Sequence, residues 1–424
     1  MDLNKYQAYL SILKKELKPA MGCTEPISIA YASALAKKYL DEEVNEISLT
    51  VSANIIKNVK SVIVPNTGGL KGIYAAASCG ILFGDSDKEL QVISKVNENN
   101  KDCILKFMNE KKFSLAESTL NTTFDLLVTL KGDNHTSSVR IVGSHINVCL
   151  IKRDEEIIFE KEFASYKEEV VIDRSILNVK DIIEFADNLN LDDIKETINR
   201  QINYNMAIAE EGLKNKYGAR IGQILLSSGE GILNKAKAYA ASASDARMSG
   251  CELPVIINSG SGNQGITTSV PVIVYARELG KTEEELLRAL VLSNLITIHL
   301  KTGVGSLSAY CGVVCAGTGA ASGICYLQGG KYEEISHTIV NALAIDSGMI
   351  CDGAKPSCAA KIASAIDSGI LGLQMVFHGS EFMGGDGIVT KGVENTIKNI
   401  GRLAASGMKK TDEEIINIMI RESC

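Results

Sequence analysis

The sequence predicts an α+β protein, with a mainly helical domain and a smaller α/β domain that contains an antiparallel sheet. Residues 43–170 contain runs of alternating apolar and polar residues separated by polar turns, a pattern typical of strands. From residue 171 to residue 424 apolar residues recur almost entirely at helical spacing. The length of 424 residues agrees with two or three domains.

The N-terminal residues 1–42 predict two helices. An amphipathic pattern covers residues 2–18. A second helix begins beside Pro26, which suits the first helical position, and continues to about Leu40. Cys23 therefore directly precedes a helix N-terminus. We expect both helices to pack on the helical domain.

Strand patterns in the predicted α/β domain begin near residue 44 and continue through residues 121–133 and 135–161. Polar turns at 132–134 and 153–154 separate these strands. The small apolar segment KGIYAAASCGILFG predicts a helix between them. The helical domain that follows is rich in Gly, Ala and Ser, which indicates closely packed helices.

Composition excludes several classes of function. The net charge of −7, the absence of Trp and of basic runs, and the low aromatic content of 5% argue against a nucleic-acid partner. The N-terminus lacks the features of a signal peptide, and no uninterrupted apolar run reaches membrane-spanning length. We therefore expect a cytoplasmic chain without a membrane span. Eleven cysteines in such a chain favour metal or catalytic use over disulfides.

The segment 310–365 holds five of the eleven cysteines. Cys351 and Cys358 bracket the turn-rich hexapeptide DGAKPS, and Cys311 follows the preceding helix. Thiolates that converge from loops and helix ends are what an iron–sulfur cluster requires. Three such ligands would leave one iron open as a Lewis acid. Core packing and a structural zinc remain alternatives, and packing is the interpretation for Cys315 and Cys325.

The segment SGSGNQG (259–265) formally matches a dinucleotide fingerprint. Pro271 follows it, and repeating βαβ units are missing, so we reject a Rossmann fold. The same backbone N–H groups can form an anion nest that suits the carboxylate of a small amino-acid substrate. A plain glycine-rich turn remains the alternative. The predicted nest residues are Ser259, Gly260, Ser261, Gly262 and Asn263.

Other polar residues could complete a substrate site. Asn54 and Asn58, with the loop 65–69, interrupt an apolar context and are candidates for its second wall. Lys301 and Lys355 could bind a carboxylate or remain solvated. The five histidines show no metal-ligand spacing.

The position of Cys23 beside a helix start supports a role as a catalytic base. The N-terminal end of a helix lowers the pKa of a neighbouring thiol, because the dipole and free N–H groups stabilise the thiolate. A thiolate there could remove the Cα proton of a bound amino acid. A packing thiol beside the helix start is the alternative.

Four segments of the chain stand out together: GCTEP (22–26), SGSGNQGITTSVPV (259–272), CGVVCAGTG (311–319) and CDGAKPSCAAKIASA (351–365). In this order they resemble the iron–sulfur L-cysteine desulfidases, relatives of the α-chain of iron–sulfur L-serine dehydratases. The resemblance covers nearly the whole chain. It implies a [4Fe-4S] cluster on Cys311, Cys351 and Cys358, with Cys23 as base. The implied reaction converts L-cysteine into pyruvate, ammonia and hydrogen sulfide without a redox change.

Three questions stay open at this point. The serine dehydratases have a wider gap between the last two cluster cysteines, so the C-x6-C spacing favours the desulfidases, with L-serine dehydration as the alternative. An iron–sulfur or zinc protein that senses iron or redox state is an alternative of another class. In some relatives a C-terminal cysteine caps the open iron, and Cys424 could do so or end an unstructured tail. The frequency of homodimers among oligomers favours a homodimer.

Overall fold

The computed structural model describes residues 1–21, 24–120, 122, 124–143, 145–161, 173–305 and 308–421. These residues form two hydrophobic cores, one around a six-stranded sheet and one within a helical domain. The predicted α+β class is confirmed. The predicted domain boundary at 170/171 lies outside the described residues.

The helices belong to the α/β domain or to the helical domain. Their bounds are α1 Leu3–Glu16, α2 Thr24–Leu40, α3 Ala53–Val59, α4 Gly72–Phe83, α5 Lys101–Glu110, α6 Val179–Asn188, α7 Lys195–Lys214, α8 Ile221–Ser228, α9 Ile232–Met248, α10 Gly262–Glu278, α11 Glu283–Val304, α12 Gly312–Leu327, α13 Tyr332–Ile345, α14 Cys358–Phe377, α15 Val393–Arg402 and α16 Lys409–Arg421.

The strands form two sheets. Their bounds are β1 Pro19–Met21, β2 Glu46–Val51, β3 Lys112–Glu117, β4 Asp125–Lys131, β5 Thr136–Val142, β6 Val148–Arg153, β7 Glu156–Glu160 and β8 Pro254–Ile256. The larger sheet has the order β3-β2-β4-β5-β6-β7. Its neighbours are antiparallel except for the parallel pair β2–β3. The predicted turns coincide with the β4–β5 and β6–β7 connections.

The core of the α/β domain lies between the large sheet and the helices α2 and α4. Alternate residues of β4 and β5 point inward, because successive side chains of a strand face opposite sides. Gly80 lets α4 approach α2 closely, since a Cβ there would lie 2.1 Å from the Ala30 carbonyl oxygen. The expectation that both N-terminal helices pack on the helical domain therefore differs from the structure: α2 packs on the sheet.

The helical domain is built around α11 and α12, with α1 in the same core. Tyr9 of α1 packs against Phe185 of α6, with ring centroids 5.4 Å apart. Small residues permit close helix contacts, as the composition predicts. A Cβ on Gly317 of α12 would lie 2.5 Å from the Ala365 carbonyl oxygen of α14.

Asp245 is a buried carboxyl within this helical core. The N–H of Gly222, at the start of α8, donates to its Oδ2 at 3.1 Å. Burial raises the pKa of Asp245 to about 6, although the N–H groups of Gly222, Ile221 and Ala219 act in the opposite direction. The carboxyl thus replaces a local cap for α8 at the cost of burying a charge.

We expect Asp245 to make the protein less stable as the pH rises from about 4 to about 6. In that window the unfolded state, with a pKa of about 3.9, binds fewer protons than the folded state, so the free energy of unfolding falls. Asp245→Asn keeps an acceptor and removes the charge. Urea unfolding should show equal stability of both proteins near pH 4 and an advantage of about 1–3 kcal/mol for the variant above pH 7. If the free energies of unfolding of the two proteins changed with pH in parallel, the raised pKa of Asp245 would be refuted.

The small sheet joins the beginning of the chain to the middle of the helical domain. Strands β1 and β8 pair antiparallel, with Pro19 opposite Ile256 and Met21 opposite Pro254. The N–H of Ile257 also donates to the Lys18 carbonyl at 2.9 Å. The segments GCTEP (22–26) and SGSGNQG (259–265) follow these two strands in sequence and therefore both start near this small sheet.

The C-terminal helix connects the two domains. Helix α16 packs on α3 of the α/β domain. Lys57 forms a salt bridge with Asp412, and both side chains are largely buried. Lys60 donates to the Met419 carbonyl. Removing one partner of a buried ion pair is usually costly, so α16 holds α3 in place.

Among the described residues one helix, α14, is long and apolar enough to cross a membrane. It packs against α9, α12 and α13. A core helix of a folded domain passes the same test, so this single helix is weak evidence for a membrane span.

Candidate functional site

Cys311 and Cys351 lie side by side. Tyr310 and Ile350 form an isolated antiparallel bridge. The N–H of Cys311 donates to the Met349 carbonyl at 2.9 Å, and the N–H of Cys351 donates to the Ala309 carbonyl at 2.6 Å. This short bridge places the start of α12 next to the loop that leads to α14.

Cys358 reaches the same place from the other end of that loop. It is the first residue of α14, and its Sγ donates to the Gly353 carbonyl at 3.5 Å. Gly353 has a φ of +93°, in the left-handed region that glycine adopts without strain. The three predicted ligands are thus brought together by one tight turn and one strand-like bridge.

The electrostatics favour a thiolate at Cys351. A hydrogen bond with the Cys311 thiol, opposed by burial, lowers the pKa of Cys351 to about 5, and the N–H of Gly353 and the charges of Lys57 and Lys361 act in the same direction. The same bond to Cys351, together with burial, raises the pKa of Cys311 well above its usual value. The Cys311 thiol therefore stabilises the thiolate of Cys351.

Positive charges surround these thiols. Lys361 donates to the Ile350 carbonyl at 2.7 Å and pairs with Asp352, which also pairs with Lys355. Lys301, from the end of α11, donates to the Gly305 carbonyl. Burial lowers the pKa of Lys301, while the charges of the neighbouring cysteines oppose that shift. Such cations would compensate the negative charge of several thiolates.

The predicted donor set consists of three thiols, the type of ligand that iron–sulfur clusters use. Thiolates that share one zinc at 2.3 Å stand about 3.8 Å apart in a tetrahedron. Within the described ranges no group of three or more His, Cys, Asp or Glu side chains is arranged to hold one metal ion. On an iron–sulfur cluster each thiolate binds its own iron, so the three thiols need not surround a single ion.

The other cysteines of the segment lie in the core. Cys315 and Cys325 of α12 are fully buried. Burial raises the pKa of Cys315 to about 11 and that of Cys325 to about 12. These values describe inert packing thiols, as the small-residue helix predicts.

Helix α3 forms a wall between the cysteines and the start of α2. A Cβ on Gly353 would lie only 1.8 Å from the Lys57 carbonyl oxygen, so the cysteine loop rests directly on α3. One residue further, Asn58 Nδ2 donates to Glu25 Oε1 at 3.1 Å. Asn54 lies one turn earlier on α3 and is half-buried. Both predicted asparagines therefore lie near the loop.

Cys23, the predicted base, lies outside the described residues, as does Cys424. The described part of the GCTEP segment begins at Thr24, the first residue of α2. Their roles stay predictions.

His145 is a polar neighbour of this helix start that the sequence did not reveal. Its Nε2 lies 2.9 Å from Thr24 Oγ1, and its carbonyl accepts from Ser28 Oγ at 2.6 Å. Burial lowers the pKa of His145, and the Glu25 carboxylate opposes that shift. The imidazole is therefore held neutral beside α2. No spacing could have found it, because its partner lies 121 residues away.

The predicted anion nest is a tight turn at the start of α10. Asn258 and Ser261 exchange backbone hydrogen bonds of 3.1 and 3.0 Å, and Ser259 and Gly260 between them have positive φ angles. The N–H of Ser259 is bound by the buried Glu16 carboxylate. Two N–H groups, those of Ser259 and Ser261, are thus already partnered. Anion binding by this segment remains a prediction for the N–H groups of Gly260, Gly262 and Asn263.

The first turn of α10 borders the cysteine site. Asn263 Oδ1 accepts from Arg247 Nη1 at 3.3 Å. A Cβ on Gly262 would lie 2.4 Å from Arg247 Nε, so the guanidinium lies over this turn. The side chain of Gln264 contacts Gly312, which directly follows Cys311. The glycine-rich motif and the cysteines therefore meet in space.

The fold and site define an α+β protein with three converging thiols where a helical domain meets an α/β domain. Residues 87–417 match the family model described as "Serine dehydratase alpha chain". The chain belongs to this family of lyases, which is related to the iron–sulfur serine dehydratases. The family resemblance predicted from the four motifs is confirmed at this level.

Curated relatives match over the full length. A UPF0597 protein of Desulfitobacterium hafniense is 55% identical over 418 residues, covering 98% of this chain and 97% of the relative. UPF0597 proteins of Treponema denticola and Lachnoclostridium phytofermentans are each 46% identical, covering 100% and 98% of this chain and 100% of each relative. These names specify no substrate.

Proposed function

We propose that this protein is an iron–sulfur lyase that eliminates hydrogen sulfide from L-cysteine to give pyruvate and ammonia. The observation that carries the proposal is the convergence of Cys311, Cys351 and Cys358 against helix α3. Membership of the serine dehydratase family supports β-elimination from a small amino acid.

In this proposal the three cysteines hold a [4Fe-4S] cluster. The low pKa of Cys351 and the surrounding lysines support thiolate ligation. When bound through three thiolates, the cluster supplies an open iron as a Lewis acid toward the sulfur of the substrate.

Cys23 serves as the base in this proposal. It directly precedes α2, whose first residues are held by His145 and Asn58. The Cys23 thiolate takes the Cα proton, and the electron pair of that C–H bond forms the Cα=Cβ bond. The Cβ–S bond breaks with its electrons on sulfur, which leaves as hydrosulfide. Water then hydrolyses the tautomerised aminoacrylate to pyruvate and ammonia, and no redox change occurs.

The substrate carboxylate is assigned to the start of α10. The N–H groups of Gly262 and Asn263 lie at the positive end of that helix dipole. The Arg247 guanidinium beside them adds positive charge. Asn54 and Asn58 would line the opposite wall.

L-serine dehydration is the second candidate, and the family description itself favours it. The same residues would act, with water as the leaving group. The C-x6-C spacing of Cys351 and Cys358 is the feature that leads us to place L-cysteine first.

A homodimer, a cytoplasmic location and the absence of nucleic-acid or membrane partners remain predictions.

Anaerobic turnover tests the proposal directly. We expect wild-type protein to release sulfide and pyruvate from L-cysteine faster than it releases pyruvate from L-serine. Cys23→Ala should lower kcat by about 10²- to 10⁴-fold, because the proton acceptor is lost. Cys103→Ala, a change at an exposed cysteine of α5, is the matched control and should keep full activity.

The contrary outcomes are distinct. Sulfide release by Cys23→Ala at the wild-type rate would refute the base. A colourless protein that contains zinc and no iron would refute the lyase and support the sensor alternative. Preference for L-serine would replace the substrate and keep the mechanism.

A further inference from the structure

Gln264 has a buried side-chain oxygen without a protein partner. Its side chain is only 6% exposed. Within the described part of the chain, its Oε1 has no hydrogen-bond partner. Buried polar atoms are almost always hydrogen-bonded, so such an exception calls for an explanation.

The surroundings fix where this amide points. Gln264 lies in the first turn of α10, where its N–H is capped by Ser261 Oγ at 3.4 Å. A Cβ on Gly312 would lie 2.5 to 2.7 Å from the Gln264 amide atoms. Only a glycine at the start of α12 leaves room for this placement. The amide is therefore held beside Cys311, the residue that precedes Gly312.

We propose that Gln264 Oε1 accepts a hydrogen bond from the α-ammonium group of the amino-acid substrate. This inference rests on the proposed function and adds a binding residue to it. An unpartnered acceptor requires a donor, and an ammonium group offers three. The neighbouring helix start and Arg247 suit the carboxylate of the same molecule, so both charged ends of an amino acid find partners within one turn of α10.

A binding role for Gln264 predicts that its loss weakens substrate binding without lowering the stability of the protein. If Oε1 has no protein donor, Gln264→Met removes an unsatisfied acceptor and should leave the melting temperature of the ligand-free apoprotein unchanged or raise it. Gln201→Met is the matched control, because Gln201 is also buried but exchanges two hydrogen bonds with Asn294, at 3.1 and 2.8 Å. That control should melt several degrees lower.

Binding is compared with two ligands. L-cysteine carries thiol, carboxylate and ammonium groups, whereas 3-mercaptopropionate lacks the ammonium group. In cluster-loaded Gln264→Met we expect the KM for L-cysteine to rise about 10- to 100-fold, the effect of losing a hydrogen bond to a charged group. The inhibition constant of 3-mercaptopropionate should change by less than about 3-fold, since its contacts remain. Gln264→Glu keeps an acceptor and should restore most of the L-cysteine binding.

Each result decides the matter. An unchanged KM in Gln264→Met, or equal weakening of both ligands, would overturn the role of Gln264 while wild-type turnover upheld the proposed function. A melting temperature that falls as far as that of Gln201→Met would show that Gln264 is a structural residue. Failure of the wild-type protein to turn over either amino acid would instead overturn the proposed function, and this inference with it.

Discussion

Cys351→Ser should abolish iron incorporation and lower lyase activity by about 10³-fold or more, as the loss of a Lewis acid worth several kcal/mol implies. Of the three predicted ligands Cys351 has the lowest pKa, about 5, because Cys311, Gly353 and two lysines stabilise its thiolate. Serine retains the size of the side chain and removes the acidic sulfur ligand. Iron analysis and visible absorption of anaerobically reconstituted protein measure the loss.

The control for this change is Cys325→Ala. Cys325 is fully buried in α12, and burial raises its pKa to about 12, so we expect it to bind no iron. This variant should keep its full iron content and absorption, even if it loses some stability. Full iron content in Cys351→Ser would show that the ligands are assigned wrongly.

Gly353→Ala should destabilise the protein by about 3 kcal/mol or more and reduce its iron content. The added methyl group would lie 1.8 Å from the Lys57 carbonyl oxygen, and the φ of +93° is unfavourable for alanine. Overpacking costs about 1–3 kcal/mol, and a left-handed backbone costs about 1–2 kcal/mol for a residue with a Cβ. The clash is with backbone, so the cysteine loop and α3 must separate. Urea unfolding of the apoprotein measures the free energy of unfolding. Iron analysis shows whether the displaced cysteine loop still binds iron.

Gly348→Ala provides a matched comparison in the same connection. A Cβ on Gly348 meets no atom within 4 Å, and its φ is not in the left-handed region. We expect a change of less than about 0.5 kcal/mol and normal iron content. If Gly353→Ala were as stable as Gly348→Ala, the close contact between the loop and α3 would be refuted.

Local patterns accounted for most of the secondary structure. The end of α2 at Leu40 and the strands between residues 125 and 160 follow from apolar periodicity and turn residues that lie next to one another in the chain. The parallel pair β2–β3 was not predicted, because residues 101–117 change from helix to strand without a turn signal.

Part of the cysteine cluster could also be predicted from the sequence. Cys351 and Cys358 are separated by a turn, so their approach is a local matter. The pairing of Cys351 with Cys311 depends on the two-residue bridge of Tyr310 and Ile350, which has no periodicity to detect.

The sequence by itself determined the class of the protein, the two kinds of domain and the residues that could bear chemistry, because each depends on neighbours in the chain. The tertiary structure alone decided what faces the site. The pairing of β1 with β8, the contact of His145 with Thr24 and the position of Gln264 against Gly312 join residues far apart in sequence. Strands of three residues carry no readable alternation, and a lone side chain has no pattern. Such contacts depend on the packing of elements that are distant in the sequence.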